Sequence, residues 1–146
     1  MKLSTRSRYG VRMMANLASH YGKKPVFLKD IAKREDISEK YLSIIVIPLR
    51  SAGLIRSTRG AHGGYVLGRP PAEITVSDIF DALEGKVCLV DCVNNPKNCP
   101  RVSTCPTRDI WSMLGERIGE TLSSISLADL VQTSRKKAQN NIMSDI

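Results

Sequence analysis

A glycine-rich basic stretch, placed directly after two short amphipathic helices, constrains this chain more than anything else in it. "LIRSTRGAHGGYVLGR", residues 54–69, predicts a strand over Leu54–Ser57, a turn carrying Arg59 and His62, and a second strand over Tyr65–Leu67. Gly60, Gly63 and Gly64 permit a tight tip, and Arg56, Arg59 and Arg69 flank it. A phosphate cradle of the glycine-loop kind would need a helix N-terminus directly after the turn, and none follows. Ahead of the hairpin, "FLKDIAKREDISEKYLSIIVIPLRSAGLI" places Leu28, Ile31 and Ala32 on one side of a short helix and Lys29, Lys33 and Arg34 on the other. The link Glu35-Asp36-Ile37 is brief. Ser38 is a good N-cap for the next helix, where Leu42, Ile45, Val46 and Leu49 follow the pattern of one buried stripe and Gly53 stands at C′. Pro48 removes a backbone donor there and favours a kink. The fold expected is mainly α with a small β-hairpin wing, a winged helix-turn-helix. A helix from Thr5 to Tyr21 precedes it, with Tyr9, Met13, Met14, Leu17, Ala18 and Tyr21 at helical spacing, Ser4 as N-cap and Gly22 as terminator.

Charge agrees with that reading. Residues 1–71 hold 14 Lys+Arg against 4 Asp+Glu, while residues 72–146 hold 8 against 10, so a net charge of +8 is concentrated in the half with the hairpin. This is the electrostatic footprint of a nucleic-acid-binding module with an appended region; a solvated basic surface is the plainer alternative. Aromatic residues are 5% and form no cluster in the first half, which argues against stacking on single strands. The expected partner is double-stranded DNA, entered in its major groove by the start of the second helix of the pair. Candidate contacts are Arg6 and Arg8 (with Arg12) on the first helix and Lys29 on the second. Ser38, Glu39, Lys40, Tyr41, Ser43, Ile44 and Arg50 belong to the third, Arg59 and His62 to the wing. Lys40 suits phosphate or guanine, Ser43 several bases, and Ile44 either a thymine methyl or packing on Pro48. Arg59 suits a narrow minor groove.

Pro70-Pro71 marks a linker. It divides the chain into a reading domain at 1–71 and a region at 72–134 holding a helix, a cysteine loop and a dimerisation helix, before a loose polar tail at 135–146. Thr75 caps a helix with Val76, Ile79, Phe80 and Leu83, with Asp78 at the capping-box position and Gly85 as terminator. Pro106 opens another helix, with Trp111, Leu114, Ile118, Leu122 and Ile125 at spacings of 3, 4, 4 and 3. About 20 residues span roughly 30 Å. So long a stripe on so small a chain predicts pairing with a second copy, packing on its own domain being the alternative. Ser126 caps a last short helix, "LADLV". A two-fold homodimer would read a near-palindromic operator with half-sites about 34 Å apart.

Together these parts resemble the IscR/NsrR/CymR family of bacterial winged-helix regulators over nearly the whole length. "LSTRSRYGVR", "SEKYL", "PLRSAGL", "RGAHGGYVLGR" and "LADLV" stand close to the family's form and in its order. The resemblance implies a homodimeric transcription factor. In cysteine-bearing members it implies an iron–sulfur cluster on the loop before the dimerisation helix.

All four cysteines lie within "CLVDCVNNPKNCPRVSTC", Cys88 to Cys105. The start of the chain has no signal-peptide pattern and no stretch is apolar enough to span a membrane, so a cytoplasmic chain with reduced thiols is expected, and a disulfide framework is disfavoured. Cys92, Cys99 and Cys105 are spaced C-x6-C-x5-C on a Pro/Asn-rich stretch. That suits an iron–sulfur cluster or zinc, and the spacing alone separates them poorly. The three positions match the family's three cysteine ligands, with one extra residue between the first pair. The fourth ligand departs. Where IscR-type members carry histidine this chain has Arg108, and where NsrR-type members carry an acidic residue it has Arg8. Cys88, Asp109, a small thiol or no protein ligand remain, and both 2Fe–2S and 4Fe–4S stay open. The functional expectation is a repressor sensing cluster status, redox state or nitric oxide. The alternatives are a structural zinc, or a CymR-type regulator acting with an enzyme partner of cysteine or cluster metabolism. No His/Asp/Ser constellation suggests an enzyme, since His20 and His62 stand alone.

Overall fold

Helix α1 (Thr5–Ser19) begins at Ser4, whose hydroxyl accepts the Ser7 backbone N–H at 3.0 Å. Its buried side chains include Met13, Met14 and Leu17, while Tyr21 falls beyond the helix end and is exposed rather than part of the stripe. Helices α2 (Leu28–Glu35) and α3 (Glu39–Ser51) pack together through a three-residue turn. Asp36 makes that turn in the left-handed conformation at φ 52°, which aspartate tolerates better than most residues. Ser38 then caps α3 by accepting the Tyr41 backbone N–H at 3.3 Å. α3 continues past Pro48 to Ser51, and Gly53 follows at φ 73°.

The wing is an antiparallel pair, β1 (Ile55–Thr58) and β2 (Gly64–Leu67), in register Ile55 to Leu67 and Thr58 to Gly64. Val26 forms an isolated antiparallel bridge to β2, exchanging backbone hydrogen bonds with Tyr65 at 3.0 and 2.8 Å. Gly64 is needed there: at φ 136°, a Cβ would lie 2.6 Å from the Val26 carbonyl oxygen.

The structure is a computed structural model and describes residues 2–145. Beyond the wing, Pro71–Glu73 form a short 3-10 turn and α4 (Val76–Glu84) packs on α1. A Cβ on Gly10 would run into the Leu83 side chain, so glycine permits the close crossing. A four-residue helix α5 (Asp91–Asn94) lies in the cysteine loop, followed by α6 (Pro106–Ser123) and α7 (Leu127–Ser144). Ile74, Ile79, Leu83 and Leu127 join Met13, Leu42, Ile45 and Leu54 in one hydrophobic cluster. The division at Pro70-Pro71 is therefore one of chain order, while the core runs across it.

α4 and α7 start side by side. Each has a full capping box, Thr75 with Asp78 and Ser126 with Asp129, and an antiparallel bridge joins the two caps. Hydrogen bonds to the Ser126 backbone and hydroxyl hold the Asp129 carboxyl below the usual carboxylate range.

Residues 135–144 are not a loose tail, as expected, but the second half of α7. Neither Gly nor Pro interrupts Leu127–Ser144, and Arg135, Lys136, Lys137, Ala138 and Gln139 are good helix formers following a capping box. Polarity reports that this half is exposed, not that it is uncoiled. Ile146 lies outside the described residues.

Candidate nucleic-acid interface and thiol loop

The buried stripe of α3 (Leu42, Ile45, Val46, Leu49) fixes its opposite face outward. Glu39, Lys40, Ser43, Ile44, Ile47 and Arg50 are all exposed there, and Ser38 is exposed at its start. Tyr41 is half-buried, its ring edge-on to Tyr9 of α1 with centroids 5.8 Å apart. It braces α3 more than it projects. The Ser43 hydroxyl donates to the Lys40 carbonyl at 2.6 Å and is thereby satisfied within the helix.

Arg59 and His62 are exposed in the wing turn, and Lys29 is exposed beside the Phe27 ring, its Nζ 5.5 Å from the centroid. On α1, Arg8 is exposed and Arg6 half-buried. Arg12 is exposed and also ties α1 to α2: its Nε lies 3.3 Å from Glu35 Oε2 and its terminal nitrogen reaches the Glu35 carbonyl. Glu84, the last residue of α4, accepts the Ser7 hydroxyl at 3.0 Å and the Ser4 hydroxyl as well. The start of α1 is therefore held by the residue that leads into the cysteine loop.

In that loop all four thiols are free; Cys88 is exposed and Cys92, Cys99 and Cys105 are half-buried. Cys92 sits on α5, Cys99 follows the 3-10 turn Pro96–Asn98, and Cys105 is the N-cap of α6. A side-chain hydrogen bond from Thr107 lies at 3.1 Å; with the Arg108 backbone N–H it holds the Cys105 thiol pKa below its ordinary value. The Cys88 S–H donates to the Val90 carbonyl at 3.4 Å. Arg108 donates from Nε to the Cys92 carbonyl at 3.2 Å and from its terminal nitrogen to the Val93 carbonyl at 3.4 Å. Asp109 is exposed one residue on. Among the described residues, no three thiols, imidazoles or carboxylates converge closely enough to hold a metal ion.

α6 has no buried residue although it is 18 residues long. Trp111 and Leu114 of the expected stripe are 38% and 40% exposed and Ile118 and Leu122 half-buried, while Ile125 falls beyond the end of α6, its carbonyl accepting the Val76 N–H, and is not part of the helical stripe. The sequence stripe omitted Ile110 and Met113, exposed at 49% and 57%, which widen the apolar face; counting them at i, i+3 and i+4 from Ile110 would have found them. A cleft of about 330 Å3 separates α6 from α4 and the loop, with Gly115 and Gly119 on the α6 side.

The model of the Rrf2 family, described as iron-dependent transcriptional regulators, matches residues 3–133. This chain belongs to the Rrf2 family. It is 46% identical to protein rrf2 of Nitratidesulfovibrio vulgaris over 132 residues, covering 90% of this chain and 88% of that protein. Among solved structures, it is similar to CymR, the global cysteine regulator of B. subtilis, at 40% identity and TM-score 0.77, covering 91% and 98% of the two chains. T. potens IscR is similar at 40% identity and TM-score 0.77, covering 92% and 88%. The mainly helical fold with its two-stranded wing is the winged-helix architecture of these Rrf2-type regulators. The family is one of transcriptional regulators and not of enzymes. Among the described residues, no helix is long and apolar enough to cross a membrane.

Measured against the iron in the family description, the donor set of this Rrf2 chain fits in chemistry. Three half-buried free thiols share one loop, and the Cys105 thiol is shifted toward thiolate, the form that iron and zinc bind.

Proposed function

We propose that this Rrf2-family regulator is a cytoplasmic homodimeric repressor that binds a near-palindromic operator. Its affinity is set by an iron–sulfur cluster held through Cys92, Cys99 and Cys105. One observation carries the reading: the thiol loop is anchored at both ends to the parts that matter. Glu84 precedes it and holds the start of α1, while Cys105 stands at the N-cap position of α6, whose first turns expose Ile110, Trp111, Met113 and Leu114 in a single chain. A change of loop conformation therefore bears on the reading head and on the subunit contact together.

When bound, such a cluster supplies redox change and reactivity toward oxygen or nitric oxide. The chain's own residues do the rest. Arg108 steadies the loop through the carbonyls of Cys92 and Val93, and Thr107 stabilises the Cys105 thiolate. Lys40, Arg50 and Arg59, with Lys29 and Arg8, supply phosphate and base contacts, and Ser38, Glu39 and Tyr41 set the helix that presents them. Arg6 and His62 add phosphate contacts at the edges.

The test is anaerobic purification followed by visible absorption and counts of iron, sulfide and zinc per chain. A brown protein with equal iron and sulfide is expected, the ratio to chain separating 2Fe–2S from 4Fe–4S. A colourless protein without iron would refute cluster sensing. Arg108 favours a second reading, because a permanent cation stands three positions after the third cysteine and is engaged with loop carbonyls rather than a ligand. In that reading the thiols hold structural zinc, or the regulator works with an enzyme partner of cysteine metabolism; zinc without iron would favour the former.

A further inference from the structure

The outward face of α3 carries two exposed isoleucines among its polar side chains, where a DNA-reading helix is expected to present hydrogen-bonding groups. Ile44 is 52% exposed and Ile47 57%, less than one turn apart and opposite the buried stripe. Packing on Pro48 does not cover Ile44, since half of its surface remains open. Beside them the Ser43 hydroxyl donates its proton to the Lys40 carbonyl at 2.6 Å, which leaves it only as an acceptor toward a base. The two isoleucines therefore offer adjacent methyl surface in the middle of the face, with Glu39, Lys40 and Arg50 toward its ends.

Its rim is cationic. Lys40 and Arg50 are exposed on the same helix, and the half of the chain that carries them holds 14 Lys+Arg against 4 Asp+Glu. An apolar centre with a positive rim complements a polyanion that displays apolar groups, not a second copy of the same cationic surface. In the major groove, one base alone displays an apolar group on its edge: thymine, through its C5-methyl.

We propose that Ile44 and Ile47 are specificity-determining residues that read thymine methyl groups, so that each operator half-site carries thymine where they face it. The inference rests on the DNA-binding reading above. Burying one methyl group contributes about fourfold in affinity. Both side chains are exposed, and glutamine is a better helix former than isoleucine, so Ile44→Gln and Ile47→Gln keep the fold.

The experiment uses the full-length chain and duplexes selected from a randomised library made with thymine. The tightest duplex is resynthesised with deoxyuridine at each thymine in turn, which removes the methyl and leaves base pairing intact. Affinity should fall about fourfold at each thymine facing an isoleucine. In Ile44→Gln and Ile47→Gln, the difference at the matching position should vanish while the salt dependence of binding is unchanged. Equal binding of thymine and deoxyuridine duplexes, with a steep salt slope, would overturn the methyl readout and leave DNA binding standing. A difference that persists in both variants would also overturn it, since the methyl would then be read elsewhere. If the library yields no duplex with salt-dependent binding, the DNA reading fails and the inference with it.

Discussion

Cys105 shows how much one residue's surroundings can do. It was legible as a candidate ligand from C-x6-C-x5-C, and its place before Pro106 marked a helix start. The sequence did not reveal the hydrogen bond with Thr107, two residues on, which is the largest cause of its lowered pKa. A lowered thiol pKa means that thiolate appears at lower pH. In metal-free protein, alkylation of Cys105 should therefore turn on at lower pH than that of a cysteine model peptide. Thr107→Val should move the profile back up, as seen by mass-spectrometric rate measurements from pH 6 to 10. An unchanged profile in the variant would show that the hydroxyl does not act on the thiol. Arg12 shows a contact that spacing does not announce. A basic residue on a basic helix suggests a phosphate contact, and its engagement with Glu35, 23 residues away, leaves no local signature.

At the scale of elements, caps were the most legible signals, because a cap is a contact between residues three apart. Ser4, Ser38, Thr75, Ser126, Pro106 and Gly53 all stand where spacing put them. The full length of α7 was not, because an exposed helix carries no buried stripe to announce it. Nor was the contact between elements that Glu84 makes. It joins α4 to the start of α1 through Ser7, which is 1% exposed. Glu84→Ala leaves that buried hydroxyl without its acceptor and should cost about 1–2 kcal/mol, read as a lower urea midpoint with unchanged slope. A midpoint equal to that of the unmodified chain would mean that the start of α1 is held by other contacts.

For the whole molecule the decisive surface is α6. Ile110, Met113 and Leu114 leave an apolar face that a single chain does not cover, the kind of patch that marks an interface. Met113→Glu, at a position 57% exposed, should fold as the parent does and shift the mass in solution from two chains to one. Sedimentation checks it, and a parent that is itself one chain would remove the dimer. Operator affinity should fall with the dimer, because two half-sites are then bound independently.

The paired caps at Thr75 and Ser126 carry a consequence of their own. The chain departs on α4 and comes home to the same spot, so residues 76–125 form a closed circuit pinned at one rivet. A residue added to or removed from the cysteine loop changes the circumference of that circuit and not the position of its ends. The thiol loop can therefore gain or lose length, as the extra residue between Cys92 and Cys99 shows against the family's spacing, while the seam at Thr75 and Ser126 stays closed.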